Sequence, residues 1–293
     1  MDPRYPFTNL VFEGGGVKGI AYAGALGTLD EAGILSGITA VAGTSAGAIT
    51  AALVAVGYTA DELRATMTAL DLRSFEDGRL EGPVRLVEHY GWYRGDAFLD
   101  WMRSMVGDRM GDPSATFADL ADAGRRDLRV VATDLATGRP KVFSAASSPG
   151  TAVADAVRRS MSIPFFFAAV RDGDTVYVDG GAVWNYPVEM FDRETPNPAT
   201  LGFRFENLSS PHPRPVAVHD LVEFTKQLYE AVSTVQTDYY RRSAADRERT
   251  VVIDDLGIRA TDFALSDEQK QALLERGRTT TRTFLNAWAP PPA

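Results

Sequence analysis

Residues 38–57 read ITAVAGTSAGAITAALVAVG. The first half is a strand pattern of β-branched and small apolar residues that ends at Thr44 and Ser45. The second half runs apolar without a break from Ala46 and stops at Gly57, a helix with a glycine stop. Ser45 therefore stands on a strand-to-helix turn, with Gly43 and Gly47 two residues to either side. A nucleophile elbow needs that arrangement: a sharp turn crowds the chain, and flanking glycines relieve the crowding. Ala46 and Ala48 keep the following helix close to the sheet, and the helix N-terminus favours negative charge at the hydroxyl. The other reading is a serine N-cap in an ordinary βα turn.

Upstream, TNLVFEGGG (residues 8–16) is a strand entering a glycine turn, and VKGIAYAGALGTLDEAG (17–33) is a small-residue helix ended by Gly33. Gly14, Gly16 and Gly19 match G-x-G-x-x-G, which in this context can cradle a dinucleotide pyrophosphate such as that of NAD. That fold also needs an acidic residue at the end of the second strand to hold the ribose. The second strand ends in glycine, threonine and serine instead, so a nucleotide-binding module lacks its second contact. The same backbone donors suit another anion, the oxyanion of acyl transfer. Two adjacent βα turns would set Gly14–Gly16 beside Ser45, one supplying the nucleophile and the other the donors. Lys18 adds a positive charge nearby or faces solvent.

Downstream, DLRVVATDL (127–135), RPKVFS (139–144), DTVYVDGG (174–181) and RTVVIDDL (249–256) read as further strands. Strands alternating with helices predict an α/β fold with a central, mostly parallel sheet flanked by helices. Residues 58–126 carry little strand pattern and read as a helical insertion. Within it Asp96 is placed to cap a helix presenting Phe98, Trp101, Met102 and Met105 on one face. Ser266 and Gln269 form a capping box for the helix that follows. No linker long enough to separate two domains appears, so one domain over residues 1–293 is expected.

Ser45 needs a base. Asp179, at the end of a strand and before two glycines, is one candidate, because desolvation raises a carboxylate's proton affinity. An Asp-Gly hairpin turn is the alternative. A histidine triad in the order Ser…Asp…His is also open, with His212 or His219 as its third member; His89 fits that order poorly. Phe165, Phe166 and Phe167 either line an apolar channel or form a buried strand. Trp92, Tyr93, Phe98 and Trp101 form a lid or pack on the core.

The 293 residues carry a net charge of -9, which argues against nucleic acid as a partner and gives no general attraction to anionic headgroups. No cysteine is present, which excludes disulfides, cysteine-ligated zinc and a thiol nucleophile. No signal-peptide pattern opens the chain, and no apolar run reaches the ~18 residues of a membrane span. The expected location is the cytoplasm.

Taken together, GGGVKG, GTSAG and DGG resemble the three motifs of the patatin-like phospholipase family, in that family's order. AVADAVRRSMSIPFFFAAV (152–170) and WNYPV (184–188) are similar to its segments before and after the aspartate. The resemblance covers about residues 8–190. It implies a three-layer fold and a Ser–Asp dyad without histidine, here Ser45 and Asp179. It also implies an oxyanion hole from the N–H groups of Gly14, Gly15 and Gly16. The implied reaction is hydrolysis of phospholipid or lysophospholipid acyl esters through an acyl-enzyme, with contact to a membrane or micelle surface and no cofactor or metal. Lipid acyl transfer would use the same dyad.

Overall fold

Residues 40–44 carry no charged side chain and are buried throughout, a condition met in the interior of a parallel sheet covered on both faces. In the computed structural model, which describes residues 4–208, 217–219 and 221–288, this strand lies in the middle of the sheet. The strands among the described residues are β1 (Asn9–Phe12), β2 (Ala40–Thr44), β3 (Gly91–Tyr93), β4 (Asp127–Asp134) and β5 (Arg139–Phe143). They continue with β6 (Phe165–Phe167), β7 (Val170–Asp172), β8 (Thr175–Asp179), β9 (Thr200–Glu206) and β10 (Thr250–Asp254).

The neighbours β10, β9, β1, β2 and β4 run parallel. Strands β5 and β8 then join β4 antiparallel, and β7 pairs with β8. Leu10, Phe12 and Val41 face the larger core, while Val11 and Ala42 face a smaller one with Tyr186, Val188 and Tyr240. This alternation follows from the period of two along each strand. It puts packed side chains on both faces of the sheet, as expected.

The first helices are α1 (Ile20–Glu31), α2 (Ala46–Val56), α3 (Ala60–Ala69), α4 (Gly82–Glu88) and α5 (Asp96–Met110). After them come α6 (Phe117–Asp122), α7 (Val153–Ser160), α8 (Leu221–Arg242), α9 (Ala244–Glu248) and α10 (Asp267–Ala287). The Ser266–Gln269 capping box is present. No helix among the described residues is long and apolar enough to cross a membrane.

Three local readings are corrected. The segment 58–126 holds α3 to α6 but also β3, which pairs with β6 outside the main sheet. Asp96 lies inside the first turn of α5 rather than capping it. The cap comes from Asp77, whose carboxylate accepts the N–H groups of Gly95, Asp96 and Ala97. Strand β9, unassigned from the sequence, is nearly all buried and sits between β1 and β10. The alternation of Leu201, Phe203 and Phe205 is the signal that marks it.

Candidate active site

The sheet register brings Ser45 and Asp179 together. On one edge of β4, Thr44 at the end of β2 pairs with Val131, and Asp179 at the end of β8 pairs with the next residue, Ala132. Because β5 pairs with the same β4 residues, it takes the opposite edge, so β2 and β8 meet end to end. The last residue of β8 thereby abuts the turn that carries Ser45.

Ser45 itself has φ 52° and ψ -122°, a conformation that costs about 1–3 kcal/mol in a non-glycine residue. The surroundings impose it. The Ser45 N–H donates to Ser160 Oγ at 2.8 Å, and the Ser160 hydroxyl donates to the Val131 carbonyl at 2.5 Å. A Cβ on Gly43 would lie 2.3 Å from the Gly47 carbonyl carbon, and one on Gly47 would lie 2.2 Å from the Phe12 carbonyl oxygen. Both flanking glycines are therefore required by contact, as the elbow spacing anticipates.

Asp179 is fully buried. Its Oδ1 accepts the Gly181 N–H at 2.7 Å and the Tyr229 hydroxyl of α8 at 3.0 Å. Oδ2 is buried and has no hydrogen bond of ordinary geometry among the described residues. Burial pushes the carboxyl up from 3.8 to about 6, and the Ser45 side chain, the Gly181 N–H and the Tyr229 hydroxyl pull against that rise. The result is a carboxylate that is ionised at neutral pH and still a stronger base than one in water. Neither His89 nor His219, both exposed, contributes a hydrogen bond to it. His212 lies outside the described residues.

The glycine turn lies beside the elbow. Gly16 has φ 53° and packs so closely that a Cβ there would stand 1.9 Å from the Ala260 carbonyl oxygen. The N–H groups of Gly15 and Gly16 have no acceptor among the described residues. The expected Gly14 donor is a correction: its N–H is already bonded to the Asn185 carbonyl at 3.0 Å, which leaves two donors of the three. Lys18 does not face the site or solvent, because its ammonium pairs with Asp255 at 2.8 Å.

Behind the turn, Glu13 is buried, its carboxylate accepting the Phe205 N–H at 2.7 Å and the Asn185 amide at 3.3 Å. Burial pushes this carboxyl up to about 7. In front of the turn, a cavity of about 610 Å³, open mouth included, is lined by Ser45 and Gly16 together with Ile49, Phe75, Phe98 and Trp101. Its lining is apolar apart from Ser45 and Thr50. Of the three consecutive phenylalanines, Phe167 lines the cavity, Phe166 is buried in the core and Phe165 is 41% exposed. Phe98 and Trp101 line the cavity rather than cover it as a lid, whereas Trp92 and Tyr93 do not line it.

Ser160, Asn185 and Tyr229 carry this geometry, yet none stood out in the sequence as a site residue. Ser160 and Asn185 each lie in a quoted family segment and Tyr229 in neither; Ser160 and Tyr229 act through contacts 115 and 50 residues away in sequence.

Comparison with known proteins gives a family and a fold. Residues 10–192 match the Patatin family, described as patatin-like phospholipase. The chain is similar to the uncharacterized protein YqhO of Bacillus subtilis (strain 168), with 33% identity over 299 residues, 95% of this chain and 98% of that protein. It is similar to the cUMP-AMP-activated phospholipase of Escherichia coli, with 31% identity over 201 residues, 61% of this chain and 55% of that one. The fold is similar to the crystal structure of VipD from Legionella pneumophila, with a TM-score of 0.66 and 18% identity over 97% of this chain and 67% of that one.

Proposed function

This chain belongs to the patatin-like phospholipase family of lipid hydrolases, and on that premise we propose that it cleaves fatty-acyl esters of phospholipids or lysophospholipids through Ser45 and Asp179. The observation that supports the proposal is a strained serine beside a buried carboxylate and an apolar cavity, with the N–H groups of Gly15 and Gly16 lacking an acceptor among the described residues.

Asp179 takes the Ser45 proton as Oγ bonds to the ester carbonyl carbon. Negative charge gathers on the carbonyl oxygen, where the Gly15 and Gly16 N–H groups stabilise it without reorganising. The carbon–oxygen bond to the alcohol breaks, and the alcohol leaves with the proton that Asp179 held. The acyl chain lies in the cavity, whose apolar lining recognises hydrocarbon and leaves the head group outside. Water, deprotonated by the same Asp179, then releases the fatty acid.

The test measures hydrolysis of short- and long-chain acyl esters by the wild type and by Ser45→Ala, Asp179→Asn, His212→Ala and His219→Ala. The first two variants lose activity and the histidine variants keep most of it. Collapse of activity in a well-folded histidine variant replaces the dyad by a triad.

A further inference from the structure

We propose that Asn185 holds the water that cleaves the acyl-enzyme, and so directs this site to hydrolysis rather than to transfer onto an alcohol. The proposal rests on the reading of Ser45 and Asp179 as nucleophile and base.

Two buried acceptors lie beside Ser45: Asn185 Oδ1 has no partner among the described residues, and Asp179 Oδ2 has none but the Ser45 side chain, whose hydroxyl is lost in the acyl-enzyme. Buried polar atoms are almost always satisfied, so an orphan amide oxygen beside a base that loses its partner points to a group that fills both during function. Asn185 is 4% exposed and firmly held. Its backbone N–H donates to Gln236 Oε1 at 2.7 Å, and its Nδ2 donates to the Gly14 carbonyl at 3.2 Å and to Glu13 Oε1 at 3.3 Å. Turning the amide over would aim its oxygen at those two acceptors, so Oδ1 stays where it is.

Where it is can be read from the adjacent glycines. A Cβ on Gly14 would lie 2.3 Å from Asn185 Oδ1 and 3.2 Å from Ser45 Cβ. A Cβ on Gly181 would lie 2.6 Å from Asn185 Oδ1 and 3.0 Å from Asp179 Oδ1. The amide oxygen thus lies close to both nucleophile and base. The nearby Tyr229 hydroxyl does not satisfy it, because that hydroxyl donates to Asp179 Oδ1.

An alcohol brings one hydroxyl hydrogen, which Asp179 takes. Water brings two, one for Asp179 Oδ2 and one for Asn185 Oδ1, so only water satisfies both acceptors. The water oxygen bonds to the acyl carbon while its first proton passes to Asp179. The bond from that carbon to Ser45 Oγ then breaks, and Oγ takes the proton back from Asp179. The second hydrogen stays on the carboxylic acid product and is lost to solvent.

The experiment follows p-nitrophenyl ester cleavage in the presence of methanol and measures the ratio of fatty acid to methyl ester. Both products come from one acyl-enzyme, so the ratio does not depend on how much of a variant folds. In Asn185→Leu the ratio shifts toward methyl ester by about fivefold to tenfold, the loss of one hydrogen bond. Its p-nitrophenol release shows a burst followed by a slow phase. Asn185→Ala moves the ratio the same way. An unchanged ratio in the leucine and alanine variants overturns the proposal and leaves Asn185 a structural support. A wild-type enzyme that forms no acyl adduct overturns the underlying reading and the proposal with it.

Discussion

Replacing Asp179 by asparagine is expected to abolish activity and at the same time to stabilise the protein. Burial raises this carboxyl from 3.8 to about 6, so between those values the folded chain holds its proton more tightly than the unfolded chain. Stability contributed by the group is then greatest below pH 3.8 and falls as pH rises through about 6. A shift of about two pH units at ~1.4 kcal/mol each means that the ionised, buried carboxylate costs about 3 kcal/mol at neutral pH. Asparagine keeps an oxygen for the Gly181 N–H and the Tyr229 hydroxyl and carries no charge. Denaturant unfolding at pH 8 is therefore expected to show Asp179→Asn more stable than wild type by up to about 3 kcal/mol, with the difference closing near pH 4. Ester hydrolysis by the same variant falls by about 10²–10⁴-fold for want of the base. Equal or lower stability at pH 8, or a gain that persists at pH 4, refutes the reasoning that burial tunes this carboxylate.

Three other substitutions follow from the same geometry. Tyr229→Phe removes a bond that favours the ionised carboxylate, so the acid limb of the kcat/KM pH profile moves up by about one pH unit; an unmoved limb means that the hydroxyl does not tune the base. Gly16→Ala drives a methyl into the Ala260 carbonyl at a positive φ, and thermal or denaturant unfolding is expected to show a loss of about 2–4 kcal/mol. Trp101→Ala enlarges the cavity that Trp101 lines. The ratio of kcat/KM for long over short acyl esters then rises about tenfold.

What was legible in the sequence was whatever depends on neighbouring residues. Gly43, Ser45 and Gly47 announce the elbow because the strain and the glycines that relieve it lie within five residues. Asp179 is readable as a strand end followed by glycines. The parts that rest on long-range contact were not legible. That Gly14 cannot serve as a donor follows from the Asn185 carbonyl 171 residues away, and Ser160 reaches Ser45 across 115. Asp77 displaces Asp96 as the cap of α5 because it comes from a loop nearly 20 residues earlier, close enough in space to accept three N–H groups. Lys18 is a similar case: its charge appeared available until the fold supplied Asp255. Motif spacing gives the reacting pair, and the fold adds the groups that hold it.

The Ser45–Asp179 pair is tested most directly by the intact mass of the protein after exposure to an alkyl fluorophosphonate. One adduct per chain is expected on the wild type, mapped to Ser45, with no adduct on Ser45→Ala and labelling slowed severely in Asp179→Asn. A wild type that stays unlabelled, or a Ser45→Ala variant that labels fully, contradicts it.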